Sequence, residues 1–469
     1  MDHISDNAAE TLHQALKMND NLSDEMFTVV KSAAHSTPRL GRLALPGRQA
    51  IDTPHFLANT SRGIVPHITQ DTFQRDTTLN GVYVALEDFI ERSPKAPVYE
   101  LPVPAGKSPL RSFTALPQDT LLVLGARRTA PIVSPAANSN TNSSVSICTA
   151  VGFQHLSPRD YANASENLAV DIVVALGDIP YGRALGSKRV IKAEDRTIAW
   201  LQSHAKLHKT ESPQSRSNGA SNLFASLLPL PCSKQEALVD CVAGEVSGDV
   251  SGLALYSLDT LSDIPGYLSD LPRLDFTAPE SPHAVLKHVR AGMDIMVVPF
   301  IGAATDAGIA LDFTFPATAE TPTNGHTGSL ATLGVDMWNP THAVDVSPLR
   351  KGCTCYACTN HHRAYVQHLL AAKEMLGWVL LQIHNHHIVD RFFAGVRESI
   401  ARDTFDQDVL AFGNAYESHL PDKTGQGPRM RGYQFKSKGP GEAKKNKPAF
   451  SELKAVADSH PEIMAETGP

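Results

Sequence analysis

"RLDFTAPESPHAVLKHVRAGMDIMVVPF" (residues 273–300) is the stretch that decides the fold of this chain. Two short apolar runs, RLDFTA (273–278) and IMVVPF (295–300), flank PHAVLKHVRAGM (282–293). The middle segment predicts a helix with Pro282 near its start. Near-continuous apolar runs are typical of parallel strands buried on both faces. The stretch therefore predicts a strand–helix–strand unit of an α/β protein.

The same pattern continues towards the N-terminus. Three more apolar runs predict strands, namely LLVLGA (121–126), DIVVAL (171–176) and SGLALY (251–256). No G-x-G-x-x-G or G-x-x-x-x-G-K-[ST] motif follows any of these runs, so a nucleotide-binding loop is not supported. This absence favours a (β/α) barrel over an open doubly wound sheet.

The composition describes a globular protein with polar margins. Of the 469 residues 42% are hydrophobic, which is enough for a large core. The net charge of −7 is not typical of a protein that binds nucleic acid without a partner, since such proteins usually carry a basic face. We predict no signal peptide and no transmembrane helix. Four polar segments are expected to stay outside the core: an N-terminal extension (1–24), two solvated inserts (134–146 and 206–222) and a flexible tail (417–469).

The segment CTCYACTNHH (353–362) predicts a metal site. Half of the six cysteines, Cys353, Cys355 and Cys358, fall within six residues, and Gly352 lets the backbone bend before them. The cysteine ligands of one zinc ion must lie close together, and a C-x-C-x2-C loop supplies three such sulfurs. An iron–sulfur cluster normally takes four cysteines, and a clustered fourth is absent. Three thiolates and one histidine would leave no open position, so the site is expected to be structural.

Spacing alone leaves the fourth ligand open. The candidates are His361, His362, His368, His384, His386 and His387. One straight helix over the 26 residues from Cys358 to His384 would span about 39 Å, so His384 reaches the ion only if the chain reverses. The segment KEMLGW (373–378), with Gly377, is the predicted place for that reversal.

Several of these motifs resemble the tRNA-guanine transglycosylase family. The clearest are CTCYAC, HHRAYVQHLL and LLQIHNHH, supported by RLGRL (39–43), DTPHFLANTSRGIVPHIT (52–69) and GFQHLSP (152–158). The resemblance implies a TIM (β/α)8 barrel over residues 25–416 with an embedded zinc subdomain at about 345–395. It also implies one structural Zn²⁺ held by Cys353, Cys355, Cys358 and His384, where His384 is the histidine of the family's H-N dipeptide.

The catalytic motifs of the family are missing. In catalytic members the nucleophilic aspartate lies within F-D-C, shortly after a G-V-D segment. In GMDIMVVPF the aspartate of G-V-D corresponds to Asp294, and the nucleophile position holds Val297. The family's D-S-G-G has no counterpart between 115 and 155, and its G-G-L-x-x-G-E is reduced to SGLALYS (251–257). The resemblance therefore implies that this chain has no catalytic residue.

The implied role is that of a non-catalytic, cytoplasmic accessory subunit in queuosine formation. It would form a heterodimer with the catalytic subunit that exchanges guanine for queuine at the wobble position of tRNAs with GUN anticodons (aspartate, asparagine, histidine and tyrosine). It would contact tRNA through that complex and associate peripherally with the outer mitochondrial surface. The alternatives are an active enzyme with relocated carboxylates, for which Asp306 and Asp312 are nearby acids, and an unrelated zinc-dependent nucleic-acid-binding protein.

Overall fold

A computed structural model describes residues 25–32, 37–90, 98–104, 107–181, 186–210, 221–317 and 330–428. The strands in these ranges are β1 (Phe27–Ser32), β2 (Arg39–Leu43), β3 (Ile51–Thr53), β4 (His55–Asn59), β5 (Gly81–Ala85), β6 (Leu121–Gly125), β7 (Val145–Thr149), β8 (Gly152–Leu156), β9 (Ile172–Val174), β10 (Asn222–Ser226), β11 (Val250–Leu255), β12 (Arg273–Asp275), β13 (Ile295–Val297), β14 (Ile309–Leu311) and β15 (Gly334–Asp336). The α-helices are α1 (Gln70–Asp76), α2 (Pro109–Thr114), α3 (Pro158–Leu168), α4 (Ser187–Thr210), α5 (Glu236–Ala243), α6 (Pro282–Arg290), α7 (Phe300–Ala307), α8 (Tyr356–Asn360), α9 (Arg363–Ala371), α10 (Met375–Ala401) and α11 (Phe405–Ala415).

Eight parallel strands close into a barrel, which confirms the TIM (β/α)8 prediction. Their order around the barrel is β10-β11-β12-β13-β4-β5-β6-β9. All five strands predicted from the sequence belong to it, although β13 is shorter than expected because Pro299 precedes the first residue of α7. Apolar side chains from alternate positions, such as Leu57, Val174 and Phe224, fill the interior as a packed core.

Helix α6 forms for the reasons that the sequence indicated. Pro282 occupies its first turn, and the Ser281 hydroxyl accepts a hydrogen bond from the backbone N–H of Ala284. Val285, Leu286 and Val289 are buried, and their i, i+1, i+4 spacing forms one apolar stripe facing the barrel. This helix is the crossover that makes β12 and β13 parallel neighbours.

A buried ion pair closes the N-terminal end of the barrel. Asp294 immediately precedes β13, and its Oδ1 accepts a 2.8 Å hydrogen bond from Arg39 Nε on β2. Asp294 Oδ2 also accepts from the backbone N–H of Arg273 at 2.8 Å. Both charged side chains are almost completely buried, at 3% and 0% exposure. Asp294 therefore has a structural role at the end opposite the barrel mouth.

A small subdomain follows α7. The antiparallel pair β14–β15 and helices α8, α9 and α10 form it around a separate apolar cluster that includes Trp378 and Leu380. The chain reverses between α9 and α10, within the predicted segment, and Lys373 takes the left-handed conformation there (φ +59°). Gly377 is not in the turn. It lies inside α10, where a Cβ atom would come within 3.1 Å of Leu370 Cδ2.

The structure describes the four predicted polar segments only in part. Residues 1–24 and 429–469 lie outside the described ranges, as do 211–220 of the second insert. The first insert is not simply a solvated loop, because Val145 and Ser146 are buried members of β7. Residues 417–428 pack on the subdomain, where a Cβ on Gly425 would lie 2.1 Å from Trp338 Cδ2. None of the described helices is both long enough and apolar enough to cross a bilayer.

Candidate metal centre and barrel mouth

The subdomain brings together the four predicted metal ligands. The Sγ atoms of Cys353, Cys355 and Cys358 and a ring nitrogen of His384 all lie within 4.8 Å of one another. His384 Nδ1 is 3.7, 3.5 and 3.4 Å from the three sulfurs in that order. Cys355 and Cys358 are buried, and His384 is completely buried. This group could hold one metal ion in a closed, four-coordinate arrangement.

The local backbone explains how one loop presents three sulfurs. Gly352 precedes the loop with a φ of +75°, a conformation that side chains rarely adopt. Cys355 is the N-cap of α8, and its sulfur accepts a hydrogen bond from the backbone N–H of Cys358 at 3.4 Å. The single helical turn of α8 thus brings the sulfur of Cys358 to the same side as the sulfur of Cys355, where both face the predicted metal position.

The other candidate histidines do not join the cluster. His362 is the N-cap of α9, and its Nδ1 accepts from the backbone N–H of Tyr365 at 3.2 Å. The ring of His361 stacks on Tyr365 at 5.2 Å, and His368 is exposed. His386 points the other way, towards Phe56 of β4, with ring centroids 6.0 Å apart. His387 does not belong to the group of four either.

A carbonyl group sets the tautomer of His384. Its Nε2 donates to the carbonyl of Leu311 in β14 at 2.9 Å, which leaves Nδ1 facing the sulfurs. Metal-bound histidines are commonly oriented in this way. Burial opposes protonation of the ring, yet hydrogen bonding with Cys353 and Cys358 raises the pKa of His384 to about 9. A bound cation would displace that proton and take up the negative charge of the thiolates.

Asn385 anchors the ligand helix to the barrel. Its Oδ1 accepts from the backbone N–H of Leu311 at 2.8 Å. Its Nδ2 donates to Thr305 Oγ1 at 2.9 Å and to the carbonyl of Ile309 at 3.0 Å. The amide is completely buried and uses both of its polar ends. The sequence marked this residue only as the second half of the H-N dipeptide and did not indicate these contacts.

Aromatic side chains fill the mouth of the barrel, at the C-terminal ends of the strands. The ring of Phe276 stacks on Tyr256 at 5.4 Å and meets Tyr83 edge-on at 5.1 Å, while Tyr181 lies 6.3 Å from Tyr256. They leave a cavity of about 30 Å³. Such a cavity admits about two water molecules, so a nucleobase could enter only if the rings moved apart.

The family resemblance assigns the nucleophile position to Val297. Val297 is completely buried among the apolar residues of the barrel interior. No carboxylate lines the cavity in the described part of the chain. The two acids considered as substitutes lie elsewhere: Asp306 contacts His67 Nε2 at 2.7 Å, and Asp312 contacts Arg350 Nε at 2.9 Å. Neither of these acids lines the mouth.

Comparisons with known proteins agree with the fold and the site. A family model described as "Queuine tRNA-ribosyltransferase" matches residues 34–418. A Schizosaccharomyces pombe protein named "Queuine tRNA-ribosyltransferase accessory subunit 2" is 34% identical over 411 residues, covering 87% of this chain and 88% of the relative. Proteins of the same name from Ixodes scapularis and Xenopus tropicalis are each 29% identical, over 79% and 77% of this chain and 96% and 93% of their own lengths.

Proposed function

Because the chain belongs to the queuine tRNA-ribosyltransferase family, we propose that it is the non-catalytic accessory subunit of that enzyme. In this role it supports guanine-to-queuine exchange at the wobble position of tRNAs with GUN anticodons. The observation that carries the proposal is the mouth of the barrel, which is filled by aromatic rings and lined by no described carboxylate.

Base exchange has requirements that this mouth does not meet. A carboxylate must attack the ribose, and a second acid–base group must transfer protons. Here the position that the resemblance assigns to the attacking carboxylate holds Val297, whose side chain is a hydrocarbon and cannot attack. The Tyr83 hydroxyl extends over Gly125 and donates to the carbonyl of Arg127 at 2.6 Å, and we propose that the aromatic rings held in this way exclude the base.

We further propose that the metal is zinc and that it is structural. Three sulfurs and one imidazole form a donor set that suits Zn²⁺ and leaves no position for a reacting water. The histidine has the outer hydrogen bond expected of a ligand, to the carbonyl of Leu311. Since the ligands come from the Cys353–Cys358 loop and from α10, the ion would hold α8 against α10.

The subdomain also presents the surface that we propose for docking the catalytic subunit. Five of the thirteen exposed large apolar side chains in the described residues lie between 340 and 376; they are Val344, Val346, Tyr356, Met375 and Leu376. Val344 and Val346 are 86% and 76% exposed. Contiguous exposed apolar area is typical of protein interfaces, and we propose that these side chains contribute to such an area. The metal would shape this surface, since Tyr356 follows the ligand Cys355 directly.

Reconstitution tests the proposal. The purified chain, the catalytic subunit and their mixture are each incubated with a GUN-anticodon tRNA and labelled queuine. We expect incorporation by the mixture and none by this chain alone. Incorporation by this chain in isolation would instead support the active enzyme with relocated carboxylates.

A matched pair of variants tests the docking surface. Val346→Asp places a charge in the proposed interface, whereas Val151→Asp changes a 38% exposed valine in the turn between β7 and β8. We expect Val346→Asp alone to weaken co-purification with the catalytic subunit by at least ten-fold. Equal pairing by both variants would mean that the partner docks elsewhere.

A further inference from the structure

The first polar insert builds part of the barrel mouth. Asn140 Nδ2 donates to Asp178 Oδ1 at 2.6 Å, and Asn140 Oδ1 accepts from Arg127 Nη2 at 3.1 Å. The insert is fastened again at Asn142, whose carbonyl accepts from Trp200 Nε1 at 3.0 Å. A segment of low-complexity composition thus holds an arginine and a carboxylate in defined positions beside the cavity.

The carboxylate of Asp178 is fully used by other groups. Arg189 donates to both of its oxygens at 2.7 and 2.6 Å, and Arg196 Nη1 donates to Oδ2 at 2.9 Å. Asp178 is completely buried, so two guanidinium groups share one carboxylate. This cluster therefore has an excess positive charge.

The neighbouring arginine is neutralised. Arg128 Nε donates to Asp88 Oδ1 at 2.6 Å, and its Nη1 lies 3.7 Å from Glu87 Oε1. Burial raises the pKa of Glu87, while Arg128 opposes that rise. Both acids also accept backbone N–H groups, Glu87 from Cys148 and Asp88 from Arg62. These carboxylates therefore have little capacity left for another cation.

Arg127 differs from the other arginines at the mouth. Its Nη2 donates to two uncharged oxygens, the side chain of Asn140 and the carbonyl of Ser146. Its guanidinium carbon lies 5.2 Å from the ring centroid of Tyr181. Within the described residues no carboxylate lies at ion-pair distance from it. Arg127 is half-buried and lines the cavity, so its charge is oriented and has no counter-ion there.

We propose that Arg127 binds a phosphate anion at the plugged mouth, as a phosphodiester of bound RNA or as free phosphate. Arginine suits this ligand because its planar guanidinium matches phosphate geometry. The site is preorganised, since Asn140 and Tyr181 already hold the side chain. The cavity at the barrel mouth would thus bind an anion rather than a base.

RNA is the source that the surroundings favour, and this identification rests on the proposed function. Asn140 and Ser146, which hold the Arg127 guanidinium, belong to a polar segment at the rim, so a strand passing over the mouth could place a phosphate there without inserting a base. Lys188 and Lys192, both exposed, extend the positive surface along the first turns of α4 next to Arg189. A backbone phosphate at Arg127 would place a strand across this rim.

The experiment measures binding of two probes to the full-length chain without the catalytic subunit. Inorganic phosphate is titrated by calorimetry, and a single-stranded oligoribonucleotide is titrated by fluorescence anisotropy at several salt concentrations. Arg127→Gln removes the proposed ligand and Asn140→Ala removes its support. Arg290→Gln is the matched control, because Arg290 is a half-exposed arginine on α6 paired with Asp406.

We expect Arg127→Gln to weaken binding of at least one probe by about ten-fold or more, Asn140→Ala to weaken it less, and Arg290→Gln to leave it unchanged. For RNA, the slope of log K against log salt should fall by about one in Arg127→Gln. An effect on RNA binding, with or without an effect on phosphate, identifies RNA as a ligand, and an effect on phosphate alone identifies the free anion. Unchanged binding of both probes by Arg127→Gln, or an equal loss in Arg290→Gln, would overturn the proposal. The phosphate titration uses no partner and no base exchange, so it stands even if the accessory role fails.

Discussion

Asn385→Ala should destabilise the subdomain and loosen its hold on the metal at the same time. The amide joins α10 to β14 and α7 through three hydrogen bonds of 2.8 to 3.0 Å in a completely buried site. Thr305 keeps its own bond to the carbonyl of Ile301, at 2.9 Å. The substitution therefore leaves two buried backbone groups without a partner, the N–H of Leu311 and the carbonyl of Ile309.

The size of the effect follows from those two groups. An unsatisfied buried polar group costs about 1–3 kcal/mol, so the free energy of unfolding should fall by about 2–6 kcal/mol. That is a large share of the total stability of a typical domain, which is about 5–15 kcal/mol. Leu311 also orients the ring of His384 through its carbonyl. Asn385→Ala leaves this bond in place but frees the Leu311 backbone to shift, so the loss of metal affinity should stay below the about 10- to 100-fold that removal of an outer hydrogen bond causes.

Two measurements on one variant check this prediction. Urea unfolding gives the change in stability, and release of metal to a coloured chelator gives the change in affinity. Asn360→Ala is the control, because Asn360 is exposed on α8 and bonds only within its own helix turn. If Asn385→Ala unfolds within about 0.5 kcal/mol of the unmodified chain and retains its metal equally well, the anchoring role is refuted.

Three further changes have defined outcomes. Cys355→Ala should release the metal and weaken pairing with the catalytic subunit while the barrel stays folded; a variant with full metal content by atomic absorption would contradict the ligand assignment. Gly125→Ala should displace Tyr83, whose hydroxyl would lie 2.0 Å from the new Cβ, and thereby open the mouth; uptake of a purine or a fluorescent aromatic probe measures the opening, and unchanged uptake would count against the plug. Acid should destabilise the chain through His55, because burial, together with Arg397, lowers the pKa of that ring to about 3. This contribution to the free energy of unfolding is complete above the unfolded pKa of 6.5 and is lost as the pH falls towards 3. The loss at pH 5 is about 2 kcal/mol. His55→Gln should show a correspondingly smaller loss in urea unfolding between pH 7 and pH 5, and an equal loss would refute this.

Local patterns predicted the α/β class and the cysteine loop, and the family resemblance added the TIM barrel. Buried parallel strands are short apolar runs, so five of the eight were recognisable from the sequence, and a crossover helix needs one apolar stripe with a suitable first turn. The other three barrel strands, HFLAN (55–59), GVYVA (81–85) and NLFAS (222–226), are as long as the recognised strand β6. They were missed because no clear change of pattern separates them from their neighbours along the chain. Three cysteines within six residues predict a metal site because the ligands of one ion must lie close together.

The sequence by itself therefore determined the α/β class of this protein and the three cysteine ligands, because both depend on neighbours along the chain. The spacing of the residues left the fourth ligand open, the family resemblance predicted His384, and the structure places His384 against the sulfurs. Only the tertiary structure decided what Asn385 contacts, how Tyr83 and Phe276 close the mouth, and that Asn140 in a polar insert holds Arg127. Each of these depends on contacts between residues far apart in the chain. Such contacts leave no periodic trace, since a buried polar side chain is stabilised by whichever distant partner the fold places beside it.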